Sequence, residues 1–315
     1  MNIAIDMMGG DYAPEEAVKG IGVYLNSMDA PSSLTLIGDE VMVIPFLDEF
    51  NIDRSLITLV HASDVIGMHE HPTKALKEKP DSSISKGFQL LATNQCDAFI
   101  SAGNTGAMMV GSLFSIKAIQ GILRPSIGAY LPREDGTLGL LLDVGLNSDC
   151  KPENLLQFAQ LGSLYAENIL NISNPKVGLI NLGEEEGKGN LLTQAAYGLL
   201  KECKKINFIG NLEGRDLLIN KADVMVCDGF TGNVLLKFAE SFHDLTVKRS
   251  IKDQHFDRFN FEMYGGVPVL GVRKPVIIGH GISHANAFMN MIVIAEKMIR
   301  QNMTGLIEKQ FCDTV

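Results

Sequence analysis

Short apolar runs alternate with amphipathic stretches along the whole chain, and the alternation predicts strands separated by helices. The runs at 3–6, 34–38, 57–61, 98–101, 176–182, 206–210, 223–227 and 275–279 are too short for buried helices and read as strands. Apolar residues at helical spacing lie between and after them at 14–25, 83–93, 106–119, 152–170, 190–202 and 284–301. Two further runs, 127–131 and 138–143, have only the turn 132–136 between them, which makes them a hairpin. Apolar strands joined by helices predict a three-layer α/β/α sandwich with a mixed, largely parallel sheet. No low-complexity linker, internal repeat or composition break interrupts the pattern, so the expectation is a single domain over 1–315.

Composition narrows the class. With 46 % hydrophobic and 20 % charged residues, the chain resembles an ordinary soluble enzyme. A formal net charge of -10 argues against nonspecific nucleic-acid binding, which needs clustered Lys and Arg. Cys96, Cys150, Cys203, Cys227 and Cys312 are odd in number and show no C-x-x-C spacing. They read as reduced thiols, neither a disulfide framework nor a zinc site. The chain opens directly on a strand, and no run approaches the roughly 18 apolar residues of a membrane span; a cytoplasmic protein is expected.

In open α/β sheets, ligands bind beyond the carboxyl ends of the strands. Three such ends carry glycine-rich turns: Ser101-Ala102-Gly103-Asn104-Thr105-Gly106-Ala107, Asp143-Val144-Gly145-Leu146-Asn147 and Gly229-Phe230-Thr231-Gly232-Asn233-Val234. A turn of this kind that opens a helix exposes backbone N–H groups at the positive end of the helix dipole, and so suits an anion. Gly103, Asn104, Thr105, Gly106 and Gly232 are the expected cradle, and Asn147 and Asn233 offer side-chain amides. Lys188 follows Glu184-Glu185-Glu186-Gly187 at what reads as a helix start, where a cation opposes the dipole unless an anion docks. Pairing with those glutamates is the alternative. His280, between Gly279 and Gly281, is a candidate acid, base or donor, with a structural histidine as the other reading.

Familiar phosphate motifs are missing. No G-x-x-x-x-G-K-[ST] occurs, and Gly187-Lys188-Gly189-Asn190-Leu191-Leu192 breaks G-x-G-x-x-G at its last position. A nucleoside triphosphate or dinucleotide is disfavoured, whereas a single phosphoryl group fits. The other histidines lack metal-ligand spacing, and neither H-E-x-x-H nor G-x-S-x-G occurs, so no metal, cofactor or serine nucleophile is expected.

Segments 3–14, 101–107, 141–147 with Lys151-Pro152-Glu153, 187–190, 206–216, 228–233 with Lys237, and Tyr264-Gly265-Gly266 together resemble bacterial phosphate acyltransferases of phospholipid synthesis. The resemblance covers nearly the whole chain in order. It implies a fold like isopropylmalate dehydrogenase and phosphotransacetylase, a homodimer, and transfer of a fatty acyl group from an acyl carrier protein thioester to inorganic phosphate. That chemistry suits the residues. Phosphate must be held against the thioester carbonyl, the tetrahedral oxyanion needs a preorganised donor, and a thiol of pKa near ~8.5 leaves as thiolate without an enzyme nucleophile. Loop placement assigns phosphate to 103–106 and Gly232–Asn233 with charge from Lys188. Thioester polarisation falls to Asn233 or Asn147, and His280 takes a supporting role.

Relatives carry a longer helical insertion between the positions of Lys237 and Tyr264, associated with membrane contact and dimer formation. Here the stretch is short and polar, although Leu235, Phe238, Phe242 and Leu245 form an apolar stripe. Weak peripheral membrane contact is the most that is expected. His69-Glu70-His71-Pro72 also departs from the acidic residues usual before that proline. Rival readings are a coenzyme A-dependent phosphotransacetylase, a metal- and NAD-dependent dehydrogenase of the same superfold, and a non-catalytic carrier-protein binding module.

Overall fold

Runs such as Ile3-Ala4-Ile5 and Leu140-Leu141-Leu142 are apolar at every position, so they are stable only where helices cover both of their faces. A computed structural model describes residues 1–312. The chain begins β1 (Asn2–Asp6), α1 (Glu15–Ser27), β2 (Ser33–Gly38), α2 (Glu40–Glu49), β3 (Ile57–His61), α3 (Pro72–Glu78), α4 (Ser83–Ala92), β4 (Ala98–Ser101) and α5 (Thr105–Gly111). It continues through β5 (Ser126–Pro132), β6 (Leu138–Leu142), α6 (Pro152–Asn168), β7 (Lys176–Ile180), α7 (Leu191–Glu202), β8 (Asn207–Leu212) and β9 (Val224–Val226). The last elements are α8 (Gly229–Lys248), α9 (Gln254–Asp257), β10 (Gly266–Leu270), β11 (Val276–Gly279), α10 (Ala285–Arg300) and α11 (Met303–Cys312). These elements gather into two compact units: Met1–Ala118 with Phe261–Thr304, and Ile119–Asn260 with the segment from Gly305.

In the first unit the strand order is β3-β2-β1-β4-β11-β10. All pairs are parallel except β10 with β11. Ile3 stands level with Leu34 on one side and Ala98 on the other. The right-handed crossovers put α1 on one face, where it packs with α10, and α4 on the other, where Phe88 meets Phe99 edge-on at 5.1 Å. Because β1, β4 and β11 run the same way, the loops that follow them leave at one edge.

The second unit orders its strands β5-β6-β9-β7-β8. The expected hairpin is present, with Gly128 opposite Leu142, and β6, β9, β7 and β8 are parallel. Buried Arg133 locks the hairpin: its guanidinium donates to the carbonyls of Leu138 (2.6 Å) and Ala222 (2.9 Å) and to the Asp223 carboxylate (3.1 Å). The loops after β6, β9 and β7 share one edge.

Four differences from the sequence reading have local causes. The helix expected over 106–119 stops at Gly111 and gives way to a π-helical turn through Ile116. Helix α2 escaped notice because Pro45 interrupts an almost wholly apolar run, yet Asp39 caps it by accepting the Val41 N–H at 3.0 Å. Strand β10 hides behind Gly266 and Pro268, residues that usually mark turns. In the α8 stripe, Phe238 and Leu245 are exposed, whereas Phe242 packs on the rings of Phe256 and Phe259. Among the described residues no helix is long and apolar enough to cross a membrane.

Candidate active site

The first unit's edge is organised by Asp6, which ends β1 fully buried. Its Oδ1 accepts the Met8 N–H (2.9 Å) and its Oδ2 the Ser101 hydroxyl (2.6 Å), while Ser101 Oγ accepts the Gly103 N–H (2.9 Å). Burial pushes this carboxyl above the ordinary aspartate range, against those hydrogen bonds and one from Ser83. The folded state therefore binds a proton the unfolded chain has already released. The resulting stability is full below a pH of about 4 and is lost as pH rises through the folded value. Urea midpoints measured between these limits should fall with pH in the wild type relative to Asp6→Asn. Parallel profiles for the two proteins would refute this.

The Gly103–Gly106 turn differs from its expected role. Asn104 caps α5, its Oδ1 accepting the Ala107 N–H at 2.9 Å. Its amide donates to the carbonyls of Gly67 (2.8 Å), Glu70 (3.1 Å) and Met68 (3.3 Å). No side-chain hydrogen of Asn104 is left for phosphate, which corrects the expectation for that residue. A Cβ on Gly106 would fall 2.3 Å from Pro72 Cγ, so packing against the start of α3 accounts for this glycine. The turn's open donors are the N–H groups of Thr105 and Gly106. His280 follows β11, next to β4, and its carbonyl accepts the Ser283 N–H at 3.0 Å. The Asp11 N–H donates to Gly281 O at 2.7 Å and ties the β1 and β11 loops together.

In the second unit Asp143 has the corresponding place, immediately after β6 and fully buried. Its Oδ1 accepts the Ile127 (3.0 Å) and Leu146 (3.4 Å) N–H groups. Its Oδ2 accepts the Asn147 N–H (2.6 Å) and side-chain amide (2.9 Å). Burial pushes the Asp143 carboxyl up from its usual range, while the four N–H donors oppose the shift. The Asn147 amide also donates to Pro125 O at 2.8 Å. Both of its hydrogens are thus committed, so the side chain offers a ligand only an acceptor. The expectation that Asn147 polarises a thioester carbonyl by donation is corrected accordingly.

Asn233 lies just past the first turn of α8, exposed, and spends one amide hydrogen on Val144 O at 3.2 Å. Its other hydrogen remains available. Elsewhere in the expected cradle at α8 the Gly229, Thr231 and Gly232 N–H groups are occupied, the last by Asp228 O at 3.0 Å. Asp228 Oδ1 caps Thr231 N (2.9 Å), and Gly229 N donates to Asn147 O (2.7 Å). The latter bond joins the Asn147 and Asn233 loops. Lys188 sits three residues before α7, which is capped by Asn190, and so lies in a turn ahead of the helix, not at its start as expected. Glu184 and Glu186 pair with Lys221 (2.6 Å) and Lys201 (2.8 Å). Half-exposed Lys188 keeps only a loose 3.9 Å approach to Glu185. Its loop follows β7, the parallel neighbour of β9, so Lys188, Asn147 and Asn233 share the unit's edge, with no hydrogen bond among the described residues linking Lys188 to the other two. Sequence reasoning passed over Asp143 and Asp228; an aspartate directly at the strand end, ahead of a glycine turn, is the signal both carry.

A family model described as "Fatty acid synthesis protein" matches residues 1–305. Phosphate acyltransferase of Dictyoglomus turgidum is 44% identical over 320 residues, covering 95% of this chain and 94% of its own. The chain belongs to the phosphate acyltransferase family. Membership makes it an acyltransferase of fatty acid and lipid synthesis. The phosphate acyltransferase of Halothermothrix orenii is 42% identical, with 98% of each chain covered. Among solved structures, a phosphotransacetylase from Streptococcus pyogenes superposes with a TM-score of 0.66 at 17% identity, over 95% of this chain and 94% of its own. A branched-chain phosphotransacylase from Enterococcus faecalis gives 0.63 at 16% identity, over 95% and 99%. The structural likenesses establish the α/β three-layer fold and bear out the expected architecture, and the family model with the curated relatives bears out the sequence reading of family.

Proposed function

We propose that this phosphate acyltransferase moves a fatty acyl group from the thioester of acyl carrier protein to inorganic phosphate, giving acyl phosphate for phospholipid synthesis. The observation that carries the reading is the second unit's edge, where loosely paired Lys188 and the spare Asn233 amide hydrogen are donors without committed acceptors. Lys188 supplies charge to phosphate. Asn233 donates to phosphate or to the oxyanion that forms as phosphate attacks the thioester carbon and the carrier thiolate leaves. Gly232 lets α8 approach Asp143 closely enough to set Asn233 in place. In the first unit the N–H groups of Thr105 and Gly106 offer a second set of anion contacts, beside Gly103, whose own N–H goes to Ser101 Oγ, and His280 supports them.

The same reading makes the protein a cytoplasmic homodimer in which 1–315 works as one catalytic domain with no cofactor, touching membranes weakly at most. The test is release of free carrier protein from palmitoyl-carrier protein with and without added phosphate, with acyl phosphate trapped as the hydroxamate. Release that tracks phosphate is expected. Phosphate-independent release, or none, would discard the reading, and faster turnover with palmitoyl-coenzyme A would reassign the donor.

A further inference from the structure

An anion site made only of cations and N–H donors cannot tell hydrogen phosphate from sulfate, because both present oxygens that accept. The distinguishing group is the hydroxyl that orthophosphate keeps at neutral pH and sulfate lacks. A site that recognises it needs an acceptor held so that it cannot turn round and donate.

Asn147 meets that requirement. Its Nδ2 lies 2.9 Å from Asp143 Oδ2 and 2.8 Å from Pro125 O. Pro125 O can only accept, so the nitrogen is assigned by chemistry whichever way the amide is drawn. A flipped amide would set its oxygen against a carboxylate and a carbonyl. Asp143 is itself fixed by the N–H groups of Ile127, Leu146 and Asn147, so the amide is clamped from two chain segments, 125–127 and 143–147. Among the described residues Asn147 Oδ1 accepts no hydrogen bond, and it is the uncommitted polar atom of that side chain. Its loop is bonded to the Asn233 loop through Gly229 N and Asn147 O at 2.7 Å.

We infer that Asn147 is a specificity residue that accepts the hydroxyl of bound orthophosphate, and that Asp143 is the positioning residue that holds its amide in the accepting orientation. The inference rests on the proposed phosphate-dependent reaction. A site built around a ligand hydroxyl rejects analogues without one, because its acceptor then faces another acceptor.

The experiment measures inhibition of the full-length enzyme, competitive with phosphate, by arsenate, which keeps the hydroxyl, and by sulfate and monofluorophosphate, which lack it. The wild type should need at least about tenfold more sulfate or monofluorophosphate than arsenate, the fold-change of roughly one lost charged hydrogen bond. A smaller gap overturns the inference, and this arm requires no variant to fold. In Asn147→Ala, and in Asp143→Asn with its reoriented amide, the gap should close to within about threefold as phosphate KM rises. A gap that persists in a folded Asn147→Ala also overturns it. Release that does not depend on phosphate at all would sink the parent reading, whereas phosphate-dependent release with equal inhibition by all three anions would sink only this one.

Discussion

Asn233→Ala lowers kcat/KM for phosphate-dependent release by about 100- to 1,000-fold, the usual effect of removing one preorganised oxyanion donor. The side chain is exposed and makes one 3.2 Å bond to Val144 O, so its loss costs the fold on the order of 1 kcal/mol and moves Tm by only a few degrees. Lys188→Ala should show a comparable collapse with unchanged stability, since its only ion pair among the described residues is an exposed one at 3.9 Å. The two losses need not share an origin. Removing Lys188 weakens phosphate binding and raises KM for phosphate, whereas removing Asn233 acts on kcat if the amide meets charge that appears only in the transition state. Steady-state kinetics with a melting curve for each variant decide the matter. Turnover within about fivefold of wild type in both, with the fold intact, would remove these residues from the mechanism.

Gly232→Ala has the largest expected effect on stability. A Cβ at that position would stand 1.9 Å from the Asp143 carbonyl oxygen and 3.0 Å from Cys227 Sγ. Neither can retreat easily: Asp143 is pinned by its carboxylate, and buried Cys227 carries the chain from β9 into α8. The substitution must push α8 off the Asp143 loop or break the buried carboxylate cluster. A cost of roughly 3–5 kcal/mol follows, with loss of most soluble protein or a Tm lower by about 5–8 degrees. A Gly232→Ala protein that melts like wild type would show that α8 does not approach the loop this closely.

The strands were legible because burial on both faces leaves a plain trace, as in Leu138–Leu142, and the hairpin because Pro132 and Gly136 bound its turn. Elements whose chemistry contradicts their state were missed. Pro45 inside a helix and Pro268 inside a strand each override a reliable local signal because tertiary packing outweighs it. At the candidate site, Asn104, Asn147 and Asn233 look alike in sequence, each in a glycine-containing turn at a strand end. What separates them lies elsewhere in the chain. Carbonyls some 34 to 37 residues away exhaust Asn104, while Pro125 O, 22 residues from Asn147, fixes that amide as an acceptor. Asn233 meets only Val144 O and keeps a hydrogen to give. Residue type and spacing located the loops, but only the long-range acceptors distinguish a donor from an acceptor and both from a cap.

The central claim is that orthophosphate sits on the edge formed by the loops after β6, β7 and β9, and a crystal soaked in phosphate tests it most directly. The account predicts one ion with oxygens within about 3.2 Å of Lys188 Nζ, Asn233 Nδ2 and Asn147 Oδ1. An ion held instead by the Thr105 and Gly106 N–H groups alone, with Lys188 and Asn233 untouched, would contradict it.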